Sequence, residues 1–441
     1  MADPASPSAP DPIATMRSRG FKFLLVLAAL VGVVASAVAW GFLELVIHMQ
    51  GWVYTDLPDA LGYDSTPLWW SLPVLALSGV VVAFAVARLP GNGGHVPAYG
   101  LNPAPTEPIA LPGVVLAGVA TIGLGIVLGP EAPLIAIGGG LGFLALDLVR
   151  PDAPADARQV LAASATFAAL AFLFGSPIIA AVILIEAAGL SGSRLPVVLV
   201  PGLLASGIGS LVWIGMGHWT GLSTSDIAIG VLHLPEFPRP DIADFGWTIL
   251  LAVAVAVITF AVFRVARGTQ RIAAPRPFLA LPVIGLAVAG LAIAFSEAAD
   301  KSVTEVLFSG ETSIEPLVSS PGAWSLSALA LLIAFKGLAY AISLGSFRGG
   351  PVFPALFLGA AGGMMAAQLP GFDLTPAVAV GIGASVASVL KLPLSAVVLA
   401  IVLTAPAGPG ADPLIIIGVV VAYLTTVALS GRFDQTPAAA R

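Results

Sequence analysis

Leu128-Gly-Pro-Glu-Ala-Pro-Leu-Ile-Ala-Ile-Gly138 sets one carboxylate, Glu131, between two apolar runs at 111–129 and 133–149. An ionised side chain at membrane depth costs about 2.5–3.5 kcal/mol on insertion scales, so such a residue marks a functional site. Pro130 and Pro133 flank it. Proline stops a preceding helix and is tolerated in the first turn of the next, which predicts a break here and a new helix starting near Pro133. Glu131 then sits at a helix N-terminus, whose unpaired N–H groups and partial positive charge attract either a solute anion or the protein's own carboxylate. In a surface turn the same residue would be only an N-capping acid.

Outside this stretch the chain is apolar throughout, with 58% hydrophobic and 10% charged residues and a mean hydropathy of +1.01. Soluble domains carry about 25% charged residues, so the expectation is an all-α polytopic membrane protein embedded in a lipid bilayer, with no room for a soluble domain. A net charge of −6 over 441 residues predicts no nucleic-acid binding. The absence of cysteine excludes disulfides, thiolate catalysis and cysteine metal ligands. His48, His95, His218 and His233 are scattered, with no H-E-x-x-H spacing, so neither a metal nor a cofactor is expected. The rival classes are a membrane-embedded hydrolase using Glu131 as its acid or base, and a non-transporting scaffold. The hydrolase lacks a nucleophile: there is no G-x-S-x-G and no His/Asp constellation, so no enzyme is expected.

Taken in order, residues 1–19 are Pro/Ala-rich at first and predict a disordered cytoplasmic tail, since Arg17, Arg19 and Lys22 precede the long apolar run Phe23–Ile47. Ala35-Ser-Ala37 has the form of a signal-peptidase site, but the apolar sequence continues past it and makes a full span. After a span near Leu68–Leu89 and a proline-rich connector, short runs follow at 111–129, 133–149, 159–174, 177–189 and 195–216. The acidic stretches 217–245 and 296–323 predict external loops; the Arg264–Arg276 cluster between them predicts a cytoplasmic one. A second short series runs at 324–345, 352–369, 374–390, 393–405 and 412–430, and 431–441 is expected to be a cytoplasmic tail. Lys336 within an apolar run needs a partner, for which Glu186 is the candidate in a structural ion pair. Arg348 is expected to attract anions or to neutralise lipid phosphate, and Lys391 to attract anions at a helix mouth or to snorkel.

The two series repeat each other. Gly129-Pro-Glu-Ala-Pro-Leu-Ile-Ala-Ile-Gly138 aligns with Gly350-Pro-Val-Phe-Pro-Ala-Leu-Phe-Leu-Gly359 at Gly, Pro, Pro and Gly, and Pro177-Ile-Ile-Ala-Ala-Val aligns with Pro393-Leu-Ser-Ala-Val-Val at nearly the same offset. Paired breaks in two halves, here 20–216 and 246–430, are the sign of a transporter built from inverted-topology repeats of short, tilted and broken helices, with its site at their interface. Val352 stands opposite Glu131, so the turn does not need a carboxylate.

In arrangement and in three motifs the chain resembles the CLC family of chloride channels and proton-coupled chloride exchangers, as a divergent bacterial-type member without a soluble regulatory domain. Gly129-Pro-Glu-Ala-Pro133 resembles the family's G-[K/R]-E-G-P, with Glu131 at the gating glutamate. Gly345-Ser-Phe-Arg-Gly-Gly-Pro-Val-Phe-Pro354 resembles its second glycine-rich turn, where Val352 or Phe353 holds the place of the pore phenylalanine. Gly93-Gly-His-Val-Pro97 is similar to G-S-G-I-P with Gly94 in place of the anion-binding serine, and no tyrosine after Ser430 matches the late pore tyrosine. The resemblance implies passive permeation of chloride or another small monovalent anion, with Gly94, His95, Val96, Gly129, Pro130, Ala132, Gly350, Val352 and Phe353 around the anion. It also implies a homodimer with one pore per subunit in a bacterial plasma membrane, both termini cytoplasmic. Phe174-Gly-Ser-Pro177 through Glu186 fits the helix that ends in paired acids. Ala187 replaces the second acid, through which family exchangers admit protons, so a channel is expected ahead of the alternative, proton-coupled antiport.

Overall fold

A computed structural model describes residues 12–192, 194–220 and 230–433. Among them the chain is helical, with one isolated bridge between extended residues. It begins with α1 (Pro12–Arg17), α2 (Arg19–Gly51), α3 (Leu57–Ala60), α4 (Ser71–Arg88) and α5 (Leu111–Gly123). Then come α6 (Glu131–Val149), α7 (Ala155–Leu173), α8 (Pro177–Ala187), α9 (Arg194–Thr220), α10 (Ile242–Ala273) and α11 (Pro277–Ala299). The last six are α12 (Ile314–Ser319), α13 (Leu326–Leu344), α14 (Val352–Ala366), α15 (Leu374–Leu390), α16 (Pro393–Thr404) and α17 (Asp412–Phe433). Among the described residues, eight helical segments are long and apolar enough to cross a membrane. With 11, 15 and 12 residues, α8, α14 and α16 fall short of the roughly 20 that a bilayer needs. Proline opens α8 and α16, where its missing N–H costs no hydrogen bond.

The chain forms two compact units, each assembled from separate stretches. One comprises Met1–Gly41, Pro103–Leu111 and Leu134–Thr224. In it Phe21, Leu24, Ala28, Val31 and Ala35 of α2 lie at i, i+3, i+4 spacing and share a core with Leu161, Ala165 and Ala168 of α7 and Ala205 of α9. A Cβ on Gly138 or Gly142 of α6 would run into the backbone at Thr166 or Ala162 of α7. Small residues four apart thus let two helix backbones approach, which is how packing is gained where lipid offers no hydrophobic drive.

The second unit comprises Phe42–Asn102, Pro112–Pro133 and Ser225–Arg441. Its centre is α15, buried from Thr375 to Leu390 and packed by α10, α14, α16 and α17. Against α15, α14 presents Gly359 and Gly363. A second pair, α4 and α11, packs at Gly79 and Gly285.

Several sequence expectations shift here. Residues 12–19 are helical rather than a tail, and 1–11 and 434–441 lie outside the described residues. The basic cluster is no loop: Arg264, Arg267 and Arg271 belong to α10, where arginine is a good helix former and suits a C-terminal end. In 217–245, α9 runs on to Thr220, residues 221–229 are outside the described set, and Asp241 and Asp244 close a capping box on α10. Residues 296–323, expected as an external loop, are folded into the protein in part. Val303, Val306, Leu307, Ile314, Leu317 and Val318 are buried, because apolar residues three and four apart outweigh the acids between them. The acidic stretches meet where the His233 N–H and Nδ1 contact Glu315 at 3.2 and 3.1 Å.

Candidate functional site at the paired glycine turns

The site lies wholly in the second unit and is made of three turns. In the first, α5 stops at Gly123, the chain passes through Gly125 at φ +103°, and α6 restarts at Glu131 with Pro133 in its first turn. In the second, α13 stops at Leu344 and α14 starts at Val352 after Pro351. These two turns pair with each other: the Gly129 N–H donates to the Gly350 carbonyl at 2.8 Å, and the Gly350 N–H donates back at 2.5 Å. Motifs that match in sequence are therefore in contact.

The Glu131 side chain crosses this bridge. Its residue is 1% exposed, and Oε1 accepts the Phe353 N–H at 2.9 Å. That donor belongs to the first turn of α14, where N–H groups lack intrahelical partners and the helix dipole is positive. Oε2 is buried and makes no hydrogen bond among the described residues. A Cβ on Gly129 or Gly350 would fall within the carboxylate, so the missing side chains make its seat. Glu131 is thus at the start of its own helix while its charge lies at the start of another. A carboxylate on an N–H donor at a positive helix end occupies the kind of seat that backbone N–H groups can also offer to a small anion.

The third turn, Gly91–Val96, is fixed by Arg348. That guanidinium is buried and donates to the carbonyls of Asn92, Ser346 and Phe347, each at 3.2 Å. Arg348 is accordingly a clamp between turns rather than the lipid-facing or vestibular cation expected, because three carbonyls compensate its burial. Among the described residues, none of Gly94, His95 and Val96 bonds to Glu131. His95 Nε2 instead donates to the Gly100 carbonyl at 3.1 Å. Burial holds this imidazole below the usual histidine range; the Gly100 bond raises it and the Arg348 charge lowers it further. Val352 and Phe353 are fully buried, Pro130 is buried and Ala132 half-buried.

Lys336 departs from the ion pair expected with Glu186. Its Nζ reaches the carbonyls of Glu305, Val306, Leu307 and Phe308 at 2.9, 3.3, 3.0 and 3.4 Å and lies 4.4 Å from the Phe357 ring centroid. Four carbonyl dipoles and a ring face satisfy the ammonium in place of a carboxylate. Glu186 is the penultimate residue of α8, in the first unit. Lys391 ends α15 with a left-handed backbone, φ +57°, and is exposed. Two site residues were not singled out by the sequence. Tyr340, fully buried, donates to the Pro351 carbonyl at 2.6 Å and so braces the start of α14. Glu311 lies in the acidic stretch, where a carboxylate had been counted only as a loop charge. A tyrosine four residues after the unusual Lys336 was the one available signal for the first.

With this geometry in hand, known proteins give a consistent picture. The model of the voltage gated chloride channel family matches residues 97–427. YfeO of Salmonella typhimurium, named as a candidate ion-transport protein, is 30% identical over 357 residues, covering 79% of this chain and 81% of the relative. Its counterpart in Salmonella schwarzengrund is 31% identical over 358 residues with the same coverage. Among solved structures, a slow cyanobacterial Cl−/H+ antiporter shares the fold at TM-score 0.76 and 20% identity, over 93% of this chain and 95% of that one. A CLC-type fluoride/proton antiporter does so at TM-score 0.64 and 16% identity, over 91% and 95%. The all-α multi-span architecture, the paired glycine turns and the match over three quarters of the sequence make this chain a member of the voltage gated chloride channel (CLC) family.

Proposed function

We propose that the chain conducts small monovalent anions, chloride first among them, along a pathway gated by the Glu131 carboxylate. The observation that carries this reading is the 2.9 Å bond from the Phe353 N–H to Oε1 at the start of α14. Ionised, Glu131 occupies the positive helix end that a permeating anion needs; protonated, it loses that attraction and leaves the seat to the anion. Backbone N–H groups suffice to hold a halide, so glycine at position 94 and the absence of a late tyrosine do not empty the site. We further assign a homodimer with one pore per subunit, repeats at 20–216 and 246–430, and a bacterial plasma membrane location with both termini cytoplasmic.

The second reading is proton-coupled anion antiport, the activity named for both solved neighbours. A second buried carboxyl, Glu311, favours it; Ala187, in place of an inner acid, opposes it. Purified protein in liposomes under combined chloride and pH gradients separates the two. A reversal potential at the chloride equilibrium value supports permeation. A value displaced toward the proton gradient overturns it in favour of antiport.

A further inference from the structure

A cavity of about 330 Å³ lies against the turn that carries Glu131. Pro130 lines it from that turn, Tyr54 and Gln50 from the segment after Phe42, and Phe308, Ser309 and Glu311 from the stretch that Lys336 anchors. Backbone and side chain both place Glu311 there. Its N–H donates to Ser309 Oγ at 3.2 Å, and Gly310 before it takes a positive φ of 83° where an added Cβ would run into Phe357 of α14. The residue keeps some exposed surface, yet its Oε1 is buried and without a hydrogen-bond partner among the described residues. Glu131 Oε2 is in the same condition. Glu311 lines the cavity and Glu131 follows Pro130, which lines it too, and each acid holds one unused buried oxygen that ionisation of both would leave uncompensated.

Among the described residues the charge that acts on Glu311 is Glu131, and no cation faces it. Tyr54, the other titratable group lining the cavity, donates its hydroxyl to the Leu124 carbonyl at 2.9 Å. Lys336 is directed at the carbonyls of 305–308, and the charge that acts on it is Glu305. Burial raises the Glu311 carboxyl well above the usual carboxylate range, and the Glu131 charge raises it further. Glu311 is thus the acid of the pair that holds its proton more strongly while Glu131 is ionised in its seat.

We propose that Glu311 is the proton port of the gate, exchanging protons between water in this cavity and Glu131. Glu311 holds the proton on one oxygen; Glu131 Oε2 takes it, directly or through one bridging water, as the Glu311 O–H bond breaks. Glu131 leaves its seat neutral, and Glu311, now ionised, recovers a proton from the cavity. The reverse sequence returns the gate. This rests on Glu131 being the gate, and it assigns to a residue 180 positions away the rate at which that gate answers pH. It requires no inner acid, so it holds whether or not anion flux is coupled to protons.

The test uses full-length protein in chloride-loaded liposomes, with flux followed after a rapid drop in pH. Wild type, Glu311→Gln, Glu311→Ala and Glu131→Gln are compared. Glutamine copies the neutral acid but cannot pass a proton, so Glu311→Gln should reach its acid-pH flux at least about tenfold more slowly than wild type, in line with the loss of a positioned acid. Alanine at 311 should slow it likewise, and either variant suffices where the other fails to fold. Glu311→Asp should restore part of the rate, which a merely structural role would not produce. Relaxation at the wild-type rate in either well-folded variant overturns the port. Glu131→Gln reports separately: a pH response surviving there overturns the gate itself, whereas its loss beside a wild-type rate in Glu311→Gln overturns the port alone.

Discussion

Gly350→Ala probes the seat of the carboxylate without touching the carboxylate. Gly350 does not adopt a left-handed backbone, so alanine there is opposed by space alone. The added methyl falls within the Glu131 carboxylate and 3.0 Å from its Cβ. Relief comes either by forcing strain on the paired turns, at about 1–3 kcal/mol, or by expelling the side chain. Expulsion forfeits the charged hydrogen bond to the Phe353 N–H, about 1.5–3 kcal/mol. The hydrogen bond is part of the wild-type balance already, so the strain alone shifts it and the seated state should lose about 1–3 kcal/mol relative to the unseated one. At 1.4 kcal/mol per factor of ten, the open fraction at alkaline pH rises about five- to a hundredfold. Chloride efflux from liposomes at alkaline pH reads this directly. Thermal unfolding in detergent reads the strain, and the double variant Gly350→Ala with Glu131→Ala, which empties the collision, should recover it. Wild-type alkaline flux together with wild-type stability in Gly350→Ala would refute the overlap and with it the assignment of the seat.

Lys336→Met leaves four carbonyls without their ammonium and should destabilise the protein on the order of 2–3 kcal/mol after allowing for the charge no longer buried; denaturant unfolding within about 0.5 kcal/mol of wild type would contradict the anchor. Cysteines introduced singly at 271 and 305 should label from opposite sides of the membrane, and those at 233 and 315, whose residues touch, from the same side; labelling of 271 and 305 from one side overturns the topology. With Ala187 at the position of the inner acid, a chloride gradient should drive little or no proton movement; stoichiometric proton uptake against a gradient would show that Glu186 or a chain of waters serves as the inner relay.

What could be read from the sequence was what local chemistry dictates. Prolines at 130, 133, 351 and 354 mark the helix breaks, and α6 and α14 begin at Glu131 and Val352. The repeat set Val352 opposite Glu131, and the resemblance of the second glycine-rich turn to the family's pore turn named Phe353 beside it. Hidden were the partners that tertiary packing alone supplies. Lys336 was expected to seek a carboxylate because charges are visible in a sequence and carbonyls are not; the 305–308 carbonyls answer it instead. Arg348 misled in the same way, its three acceptors being backbone oxygens. Counting acids at 296–323 gave an external loop and said nothing of burial; its apolar spacing buries part of that stretch and sets Glu311 beside the cavity. Charge counts report which side of a membrane a segment faces; they do not report how deeply it folds in.

The claim at the centre is that the Glu131 carboxylate and a permeating anion compete for the start of α14. Chloride flux per folded protein, measured from acidic to alkaline external pH for wild type, Glu131→Gln and Glu131→Ala, tests it most directly. Wild-type flux should rise as pH falls, because protonation removes the charge that holds the side chain on the Phe353 N–H. Burial lowers the His95 imidazole from its usual range, which moves any response of its own toward the acid side. Raising chloride should shift the wild-type profile toward alkaline pH by displacing the carboxylate. Both variants should conduct at every pH without that profile, glutamine as a permanently neutral side chain and alanine as an empty seat. A capping acid would behave otherwise: alanine would cost about 1 kcal/mol of stability while the pH profile persisted. An unchanged profile in both variants contradicts the account.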